Sequence, residues 1–343
     1  MAVVTVLGAG AMGGALTRPA ADAGNEVRLW GTWLDDDLLA ELRANRPHPR
    51  TGVPVDARVR LHDAPDLAAA LAGADLVALA VRSEGVLDVL SRVAPHLAPG
   101  TPLLLASKGF GRAPDGRVRL LPPLLEGALR APCPVVAIGG PCKANEVAAG
   151  RPTAAVFACR DTAVAAGCAK TLGTAAYRVQ LSDDVDGVEV AAATKNVYAI
   201  ALGACDGLAE AGGQPWHDLA AAAFTQAVAE MRRLAVALGG REGTVLGLAG
   251  VGDLEVTRLS GRNQRYGERL GRGEAPGEAL AAMSAAGQTV EGIAAARLAL
   301  ELAGAHPGMP PLEALPLLAA VVRLLDGASS TAALLTEAAL PGG

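Results

Sequence analysis

In the segment Ala191-Ala192-Ala193-Thr194-Lys195-Asn196-Val197-Tyr198-Ala199, helical spacing surrounds Lys195 with Ala191, Ala192, Tyr198 and Ala199, so its ammonium rises from an apolar face. A lysine so placed snorkels to solvent, pairs with an anion, or lines a cleft with a lowered pKa. The last is what a proton donor to a carbonyl needs. Spacing alone leaves the three open. Asn196 adds a neutral donor beside it. A second cluster, Gly250-Val251-Gly252-Asp253-Leu254-Glu255-Val256-Thr257-Arg258-Leu259-Ser260-Gly261-Arg262-Asn263, sets Asp253 between glycines, at a loop or helix start where it could meet a cation. It ends in Arg262 and Asn263, a guanidinium fork and an amide donor suited to phosphate. The structural reading of the same residues is a helix cap at Asp253 and a solvated arginine.

The amino terminus offers a nucleotide site. Val3, Val4, Thr5, Val6 and Leu7 run directly into Gly8-Ala9-Gly10-Ala11-Met12-Gly13, a GxGxxG. A strand must stop sharply there for a helix to begin. Gly8 supplies the tight turn, Gly10 lets the backbone approach a pyrophosphate, and Gly13 lets the new helix pack on the strand. With 42 glycines in the chain a lone match is weak, and its bland reading is a turn without a ligand. Context strengthens it. An Ala-rich segment continues to Ala23, Gly24-Asn25 breaks it, and a second short strand, Glu26 to Trp30, completes a βαβ unit.

The elements that must position these groups follow from the apolar pattern. Leu76 to Val81, Leu103 to Ala106 and Pro134 to Ile138 are short runs, apolar on both faces and bounded by Gly, Pro or Asp, as parallel strands covered by helices are. With an acidic helical segment, Leu34 to Ala44, a Pro-rich loop, Arg46 to Pro54, and Leu67 to Ala72, they predict a doubly wound α/β sheet. Ligands bind at the carboxyl ends of such strands. That directs attention to Arg82-Ser83-Glu84, Ser107-Lys108-Gly109 and Gly139-Gly140-Pro141. After about Asp186 helical Ala/Leu segments dominate: Val188 to Ala204, Asp218 to Leu238, Pro276 to Ala286, Glu291 to Ala303 and Leu312 to Leu325. The expected division is therefore 1–183, a dinucleotide-binding domain, and 184–343, a helical substrate-binding and catalytic domain, parted at the polar stretch Leu181-Ser182-Asp183-Asp184.

A chain of 343 residues is too long for one ordinary core and suits two domains. Its net charge of -5 argues against a nucleic-acid partner, so an anionic ligand must be held by local cations. Cys133, Cys142, Cys159, Cys168 and Cys205 form no CxxC pair and no metal-like cluster with histidine, which fits reduced core thiols in a cytoplasmic protein without a metal. The apolar start lacks the basic flank of a secretory signal, and no uncharged run reaches membrane-spanning length.

The ordered set Gly8 to Gly13, Val27-Arg28-Leu29-Trp30-Gly31-Thr32, Ser107-Lys108-Gly109, Gly140-Pro141 with Ala144 and Glu146-Val147, Lys195-Asn196-Val197-Tyr198, Gly252-Asp253-Leu254, Gly261-Arg262-Asn263 and Val290-Glu291-Gly292 resembles the NAD(P)-dependent glycerol-3-phosphate dehydrogenases, and among them most the archaeal type. The likeness covers nearly the whole chain. It implies a Rossmann domain followed by an all-α domain like the C-terminal part of 6-phosphogluconate dehydrogenase. It also implies reduction of dihydroxyacetone phosphate to sn-glycerol 3-phosphate, a phospholipid precursor, in a cytoplasmic homodimer. Carried over by position, Lys195 is the catalytic lysine, proton donor to the forming alkoxide. Lys108 is the second active-site lysine and also lies by the cofactor, and Asp253 and Thr257 complete the polar network. Asn196, Arg262 and Asn263 hold the substrate phosphate. Gly8, Ala9, Gly10, Ala11, Met12, Gly13, Thr32, Arg262 and Glu291 contact the cofactor.

The chain departs from the family pattern at Cys142-Lys143, where relatives carry a small or hydroxylated residue and then an apolar one. Lys143, in a loop expected near the cleft, either alters the substrate pocket or points to solvent, and lysine's general preference for the surface favours solvent. Gly212-Gly213-Gln214-Pro215 reads as a turn. At the end of the second strand, Trp30-Gly31-Thr32-Trp33, no carboxylate stands before Asp35, so nothing there selects a ribose hydroxyl over a 2′-phosphate. Thr32 can bond a phosphate, while strand alternation turns Arg28 elsewhere. The expected cofactor is NADP, with NAD admitted. Two other readings stay open: a dehydrogenase of the same fold acting on another phosphorylated or phosphonate ketone, and a non-catalytic NADPH sensor, whose signature would be loss of the lysines that are present here.

Overall fold

The run of β-formers at the amino terminus is β1 (Val3–Leu7), and the Ala-rich segment behind the glycines is α1 (Ala11–Asp22). Then come β2 (Glu26–Trp30), α2 (Asp36–Arg43), β3 (Arg60–His62), α3 (Leu67–Leu71), β4 (Leu76–Leu79), α4 (Val86–Val93) and β5 (Leu103–Leu105). A hairpin of β6 (Phe110–Arg112) and β7 (Val118–Leu120) leads to α5 (Leu121–Ala128), β8 (Val135–Gly139), α6 (Ala144–Ala148), β9 (Thr153–Ala158), α7 (Thr162–Leu172) and β10 (Tyr177–Ser182). In the computed structural model, which describes residues 1–129, 131–305, 308–328 and 330–340, eight strands form one sheet in the order β10-β9-β8-β5-β4-β1-β2-β3. Neighbours pair in parallel except β8 with β9. The doubly wound expectation is met. β9 and β10 were not anticipated, because β9 is half alanine and β10, an edge strand, carries the alternation of a half-buried strand and not the apolar run by which the other strands were recognised.

From β1 the chain winds outward through β2 and β3, then crosses back to lay β4 on the other side of β1 and winds the opposite way. The crevice at that reversal, beyond the carboxyl ends of β1 and β4, is where an open α/β sheet binds ligands. Side-chain alternation divides the core between the two faces of the sheet. Val4 and Val6 join Leu16 and Ala20 of α1 on one face, while Leu7, Trp30 and Leu79 pack with Val86 and Leu90 on the other.

The second half is helical: α8 (Val185–Gly212), α9 (His217–Ala237), α10 (Glu242–Leu246), α11 (Asp253–Arg258), α12 (Arg262–Gly271), α13 (Pro276–Ala285), α14 (Glu291–Ala305), α15 (Pro316–Leu325) and α16 (Thr331–Ala339). A π-helical turn, Leu248–Gly252, precedes α11. The Gly-Gln-Pro turn separates α8 from α9, with Gly213 at φ +64°. The single helix expected over Leu312 to Leu325 is instead a short 3-10 turn, Leu312–Ala314, followed by α15. Pro316 has no N–H and clashes with a preceding turn, so it begins a helix rather than continuing one.

The chain divides into two compact units, Met1–Gly111 with Leu120–Glu189, and Arg112–Arg119 with Val190–Gly343. The division thus falls inside α8, six residues beyond the expected 183, and the hairpin tip goes with the helices. There Arg112 forms a bidentate pair with Glu301 at 2.7 and 2.8 Å. Among the described residues no helix is long and apolar enough to cross a membrane.

Candidate active site

The glycine-rich turn is shaped as its sequence requires. Gly8 has φ +103°, and a Cβ there would lie 2.8 Å from Val81 Cγ1, two residues past the end of β4. A Cβ on Gly13 would overlap the Gly8 carbonyl oxygen, so α1 sits on the turn with no room for a side chain. Gly10, the N-cap of α1, would meet only Arg50 Nη1 at 3.5 Å. The backbone from Gly10 to Met12 is the part left open toward a ligand, and the first N–H groups of α1 are there to receive an anion. This cradle fits a dinucleotide pyrophosphate.

Two residues around the cradle escaped the sequence reading. His48 is buried, with Nε2 2.9 Å from the Ala9 carbonyl, and it packs against Gly14 so closely that a Cβ there would lie 2.8 Å from the ring. Arg50 follows it and carries a guanidinium over Gly10. The only signal was a histidine and an arginine in a Pro-rich loop, and nothing in their spacing ties that loop to the glycines.

Thr32 lies where expected, beyond β2, but its hydroxyl proton goes to Asp35 Oδ2 at 2.8 Å and so is committed within the protein. The same carboxylate oxygen accepts from the Thr32 N–H at 2.9 Å and the Ala9 N–H at 3.3 Å. Asp35 thus braces the glycine turn. Arg28 is turned away, to Glu26 and to the carbonyls of Ala69, Ala70 and Ala72.

Lys108 follows β5 in a turn fixed at both flanks. Ser107 Oγ donates to the Val81 carbonyl at 2.6 Å, and Gly109, at φ +152°, would place a Cβ 3.1 Å from Ser83 Cβ. Glu189, at the start of α8, is buried against this turn. Burial pushes its carboxyl up to about 8, while the Gly109 N–H and the Lys108 charge pull the other way. Lys143 is half-buried at the N-cap of α6, less solvated than its type suggests, and Cys142 beside it donates to the Gly140 carbonyl at 3.3 Å.

In the second unit the placement of Lys195 is decided: it is 7 % exposed, among alanines of α8 with none, and its ammonium pairs with the Asp253 carboxylate. Asp253 opens α11 directly after the π-helical turn. That turn is possible because Gly250 lies against the Val245 carbonyl, where a Cβ would overlap it. π-helical turns recur where a chain must aim one side chain. Thr257 donates its hydroxyl to the Asp253 carbonyl at 2.6 Å, so it braces α11. One helical turn beyond Lys195, the Tyr198 hydroxyl donates to Glu230 at 3.1 Å. Glu230 also accepts from Gln226 and from the N–H groups of Leu317 and Leu318 at 2.6 and 2.9 Å, capping α15 from a distance in sequence. Burial raises its pKa despite these donors.

Helices α8 and α12 touch backbone to backbone. Cβ atoms on Gly203 and Gly207 would overlap the carbonyls of Gln264 and Glu268, and Cβ atoms on Gly267 and Gly271 would overlap those of Ile200 and Ala204. Reciprocal glycine pairs, four residues apart on both helices, thus lock α8 to α12, whose first residues are Arg262 and Asn263. Asn263 Oδ1 accepts from the Gly292 N–H at 2.8 Å, which leaves its amide nitrogen to donate outward. Gly292 also lies against the Asn196 carbonyl, where a Cβ would come within 2.5 Å. Arg262 reaches Thr289 at 2.9 Å and Glu291, the first residue of α14, at 3.4 Å. The unit therefore gathers Lys195, Asn196, Asp253, Thr257, Arg262, Asn263 and Glu291. Among the described residues no three His, Cys, Asp or Glu side chains gather as metal ligands would.

Comparison with known proteins agrees with this geometry. The model of the NAD-dependent glycerol-3-phosphate dehydrogenase N-terminus matches residues 3–165, and that of the C-terminus matches residues 184–336. An NADP(+)-dependent glycerol-3-phosphate dehydrogenase of Archaeoglobus fulgidus is 38 % identical over 278 residues, 79 % of this chain and 80 % of the relative. The chain belongs to the NAD-dependent glycerol-3-phosphate dehydrogenase family. A glycerol-3-phosphate dehydrogenase [NAD(P)+] of Mesorhizobium japonicum is 36 % identical and spans 95 % of this chain and 88 % of its own. The crystal structure of the Coxiella burnetii glycerol-3-phosphate dehydrogenase superposes with a TM-score of 0.85 at 31 % identity, covering 98 % of each chain. The resemblance read from the motifs, the archaeal type among it, is thereby met. The protein is an NAD(P)-dependent oxidoreductase with a Rossmann amino-terminal half and a helical carboxyl-terminal half.

Proposed function

We propose that this protein catalyses the reversible reduction of dihydroxyacetone phosphate to sn-glycerol 3-phosphate, with NADPH preferred over NADH. The observation that carries the reading is the buried Lys195–Asp253 pair on a helix locked by glycines to the one that begins Arg262-Asn263. A ketone that gains a hydride at C2 needs one proton at its oxygen, and Lys195 is the donor. Asp253 holds the lysine in its ammonium form, and in the reverse direction the neutral amine takes the proton back. A reduced nicotinamide, when bound, would supply the hydride. Asn196, Arg262 and Asn263 hold the phosphate through charge-assisted and amide hydrogen bonds. The family resemblance assigns Lys108 as a second active-site lysine and Glu291 with Arg262 as cofactor contacts, while Thr257 keeps α11 in register.

Residues Gly8 to Gly13 take the pyrophosphate on the sheet half, and the helical half binds substrate. Arg50 over Gly10 supports the NADPH preference, because the nearby Asp35 carboxylate already serves three internal donors. The Thr32 hydroxyl serves this site through Asp35. A homodimer in the cytoplasm supplying a phospholipid precursor completes the proposal; five buried free cysteines support the compartment.

The test is oxidation of NADPH, and separately NADH, by the purified protein with dihydroxyacetone phosphate, against unphosphorylated dihydroxyacetone. Turnover confined to the phosphorylated ketone, and faster with NADPH, is expected. Binding of NADPH without turnover of this ketone would redirect the assignment to another anionic ketone.

A further inference from the structure

The backbone of Ala9, inside the glycine turn, is held on both sides by side chains. Its N–H donates to Asp35 Oδ2 at 3.3 Å, and its carbonyl lies 2.9 Å from His48 Nε2. A carbonyl only accepts, so Nε2 carries the hydrogen. The other ring nitrogen agrees: His48 Nδ1 accepts the Arg50 N–H at 3.1 Å and must present a lone pair. Together the two bonds select one tautomer of a buried ring. Room for that ring is made in α1, where residue 14 is glycine and a Cβ would lie 2.8 Å from His48 Cδ2. Glycine is a poor residue inside a helix, and its use here is the space it gives the imidazole.

The loop that carries Arg50 closes on the same histidine. The His48 N–H donates to the Val53 carbonyl at 3.0 Å, and the His48 carbonyl accepts from the N–H groups of Thr51 and Gly52 at 3.1 and 2.9 Å. In a trans peptide the C=O and the following N–H point opposite ways, so drawing the Ala9 carbonyl to the imidazole turns the Gly10 N–H away from it. We propose that His48 is a positioning residue for the cofactor with two separable duties. Through Nε2 it sets the peptide between Ala9 and Gly10, aiming the Gly10 N–H at the pyrophosphate that NADPH and NADH share. Through Nδ1 it seats Arg50 over Gly10, where the guanidinium answers the extra phosphate that NADPH alone carries. The inference rests on the reading of this turn as a dinucleotide site that prefers NADPH.

Amide side chains divide the two duties, since asparagine reaches the place of Nδ1 and glutamine that of Nε2. His48→Asn keeps an acceptor for the Arg50 N–H and loses the donor to Ala9, so its affinity for NADPH and for NADH should fall by the same factor, about tenfold, as for one lost hydrogen bond. His48→Gln keeps the donor and loses the acceptor, so NADH binding should stay near wild type while NADPH binding weakens about tenfold. Fluorescence titrations with both dinucleotides read this, beside thermal melts that check folding. Arg50→Ala should reproduce the His48→Gln pattern, and the two changes together should cost no more than either alone. A readout without cofactor comes from nitrogen NMR of the wild-type protein made with isotope-labelled histidine: the resonances missing from His48→Gln should report a hydrogen on Nε2 and a lone pair on Nδ1. A hydrogen on Nδ1 overturns the proposal, and so do equal binding patterns in the asparagine and glutamine variants. An NADPH preference lost in Arg50→Ala but kept in His48→Gln leaves the reading of Arg50 intact and overturns the role of His48. A preference unchanged in Arg50→Ala overturns the reading itself, and the second duty with it.

Discussion

Lys195 and Arg262 divide the work of one reaction, so their losses separate in kinetics. Lys195→Ala should bind NADPH normally and lose about a hundredfold or more in kcat, the usual consequence of removing a general acid. Arg262→Ala should raise KM for the phosphorylated ketone while largely sparing kcat, since it removes a contact that is made before and during reaction alike. Steady-state kinetics and a fluorescence titration of NADPH check both. The partner of Lys195 carries a stability cost as well. Asp253→Asn leaves the buried Lys195 ammonium facing a neutral amide, and loss of one member of a buried pair costs about 3–5 kcal/mol. Urea unfolding measures it, and the double replacement Lys195→Met with Asp253→Leu should recover much of that stability without activity. The sequence displayed Lys195 and Asp253 as candidates because each is unusual for its surroundings. Their meeting was not legible, since 58 positions separate them and the π-helical turn that aims Asp253 leaves no periodic mark.

The elements turn on where a methyl group fits. Gly13→Ala would force α1 off its strand, because the new Cβ overlaps the Gly8 carbonyl, and the variant should unfold several degrees lower. Gly10→Ala meets only a flexible arginine at ordinary contact distance, so it should fold normally and lose affinity for NADPH. Thermal melts beside cofactor titrations separate these outcomes, and equal behaviour of the two variants would contradict the division of labour drawn along the glycine turn. The strand-turn-helix was readable because local chemistry alone dictates it: β-formers, then glycines, then helix formers. The start of α15 was not. Pro316 hinted at a boundary, but the cap is Glu230, a side chain 87 residues away from the N–H it serves. Arg50 was hidden for the same reason, because a loop with no periodicity brings it over Gly10.

For the molecule as a whole, Glu189 makes stability depend on pH with a definite sign. Its folded-state pKa of about 8 lies above the ordinary carboxyl value of 4.5, so the folded protein holds this proton more tightly than the unfolded chain. The stability present below the unfolded value is then lost as pH rises through the window from 4.5 to about 8. Glu189→Gln behaves as the permanently neutral form. Its melting temperature should gain on wild type across that window and run parallel to it above, as calorimetry from pH 5 to pH 9 would show. The two-part architecture was legible from the change in texture near residue 186, whereas the exchange of the hairpin tip was not, because pairing of Arg112 with Glu301 leaves no local signature. The glycine contact between α8 and α12 has a consequence in time rather than in space. With no side chain between the backbones there is nothing to repack, so neither helix can open by a small local fluctuation while the other stays closed. Amide hydrogens of residues 203–207 and 267–271 should exchange with deuterium together, among the slowest in the protein and at the rate of global unfolding, which makes this seam the natural clock for the stability of the fold.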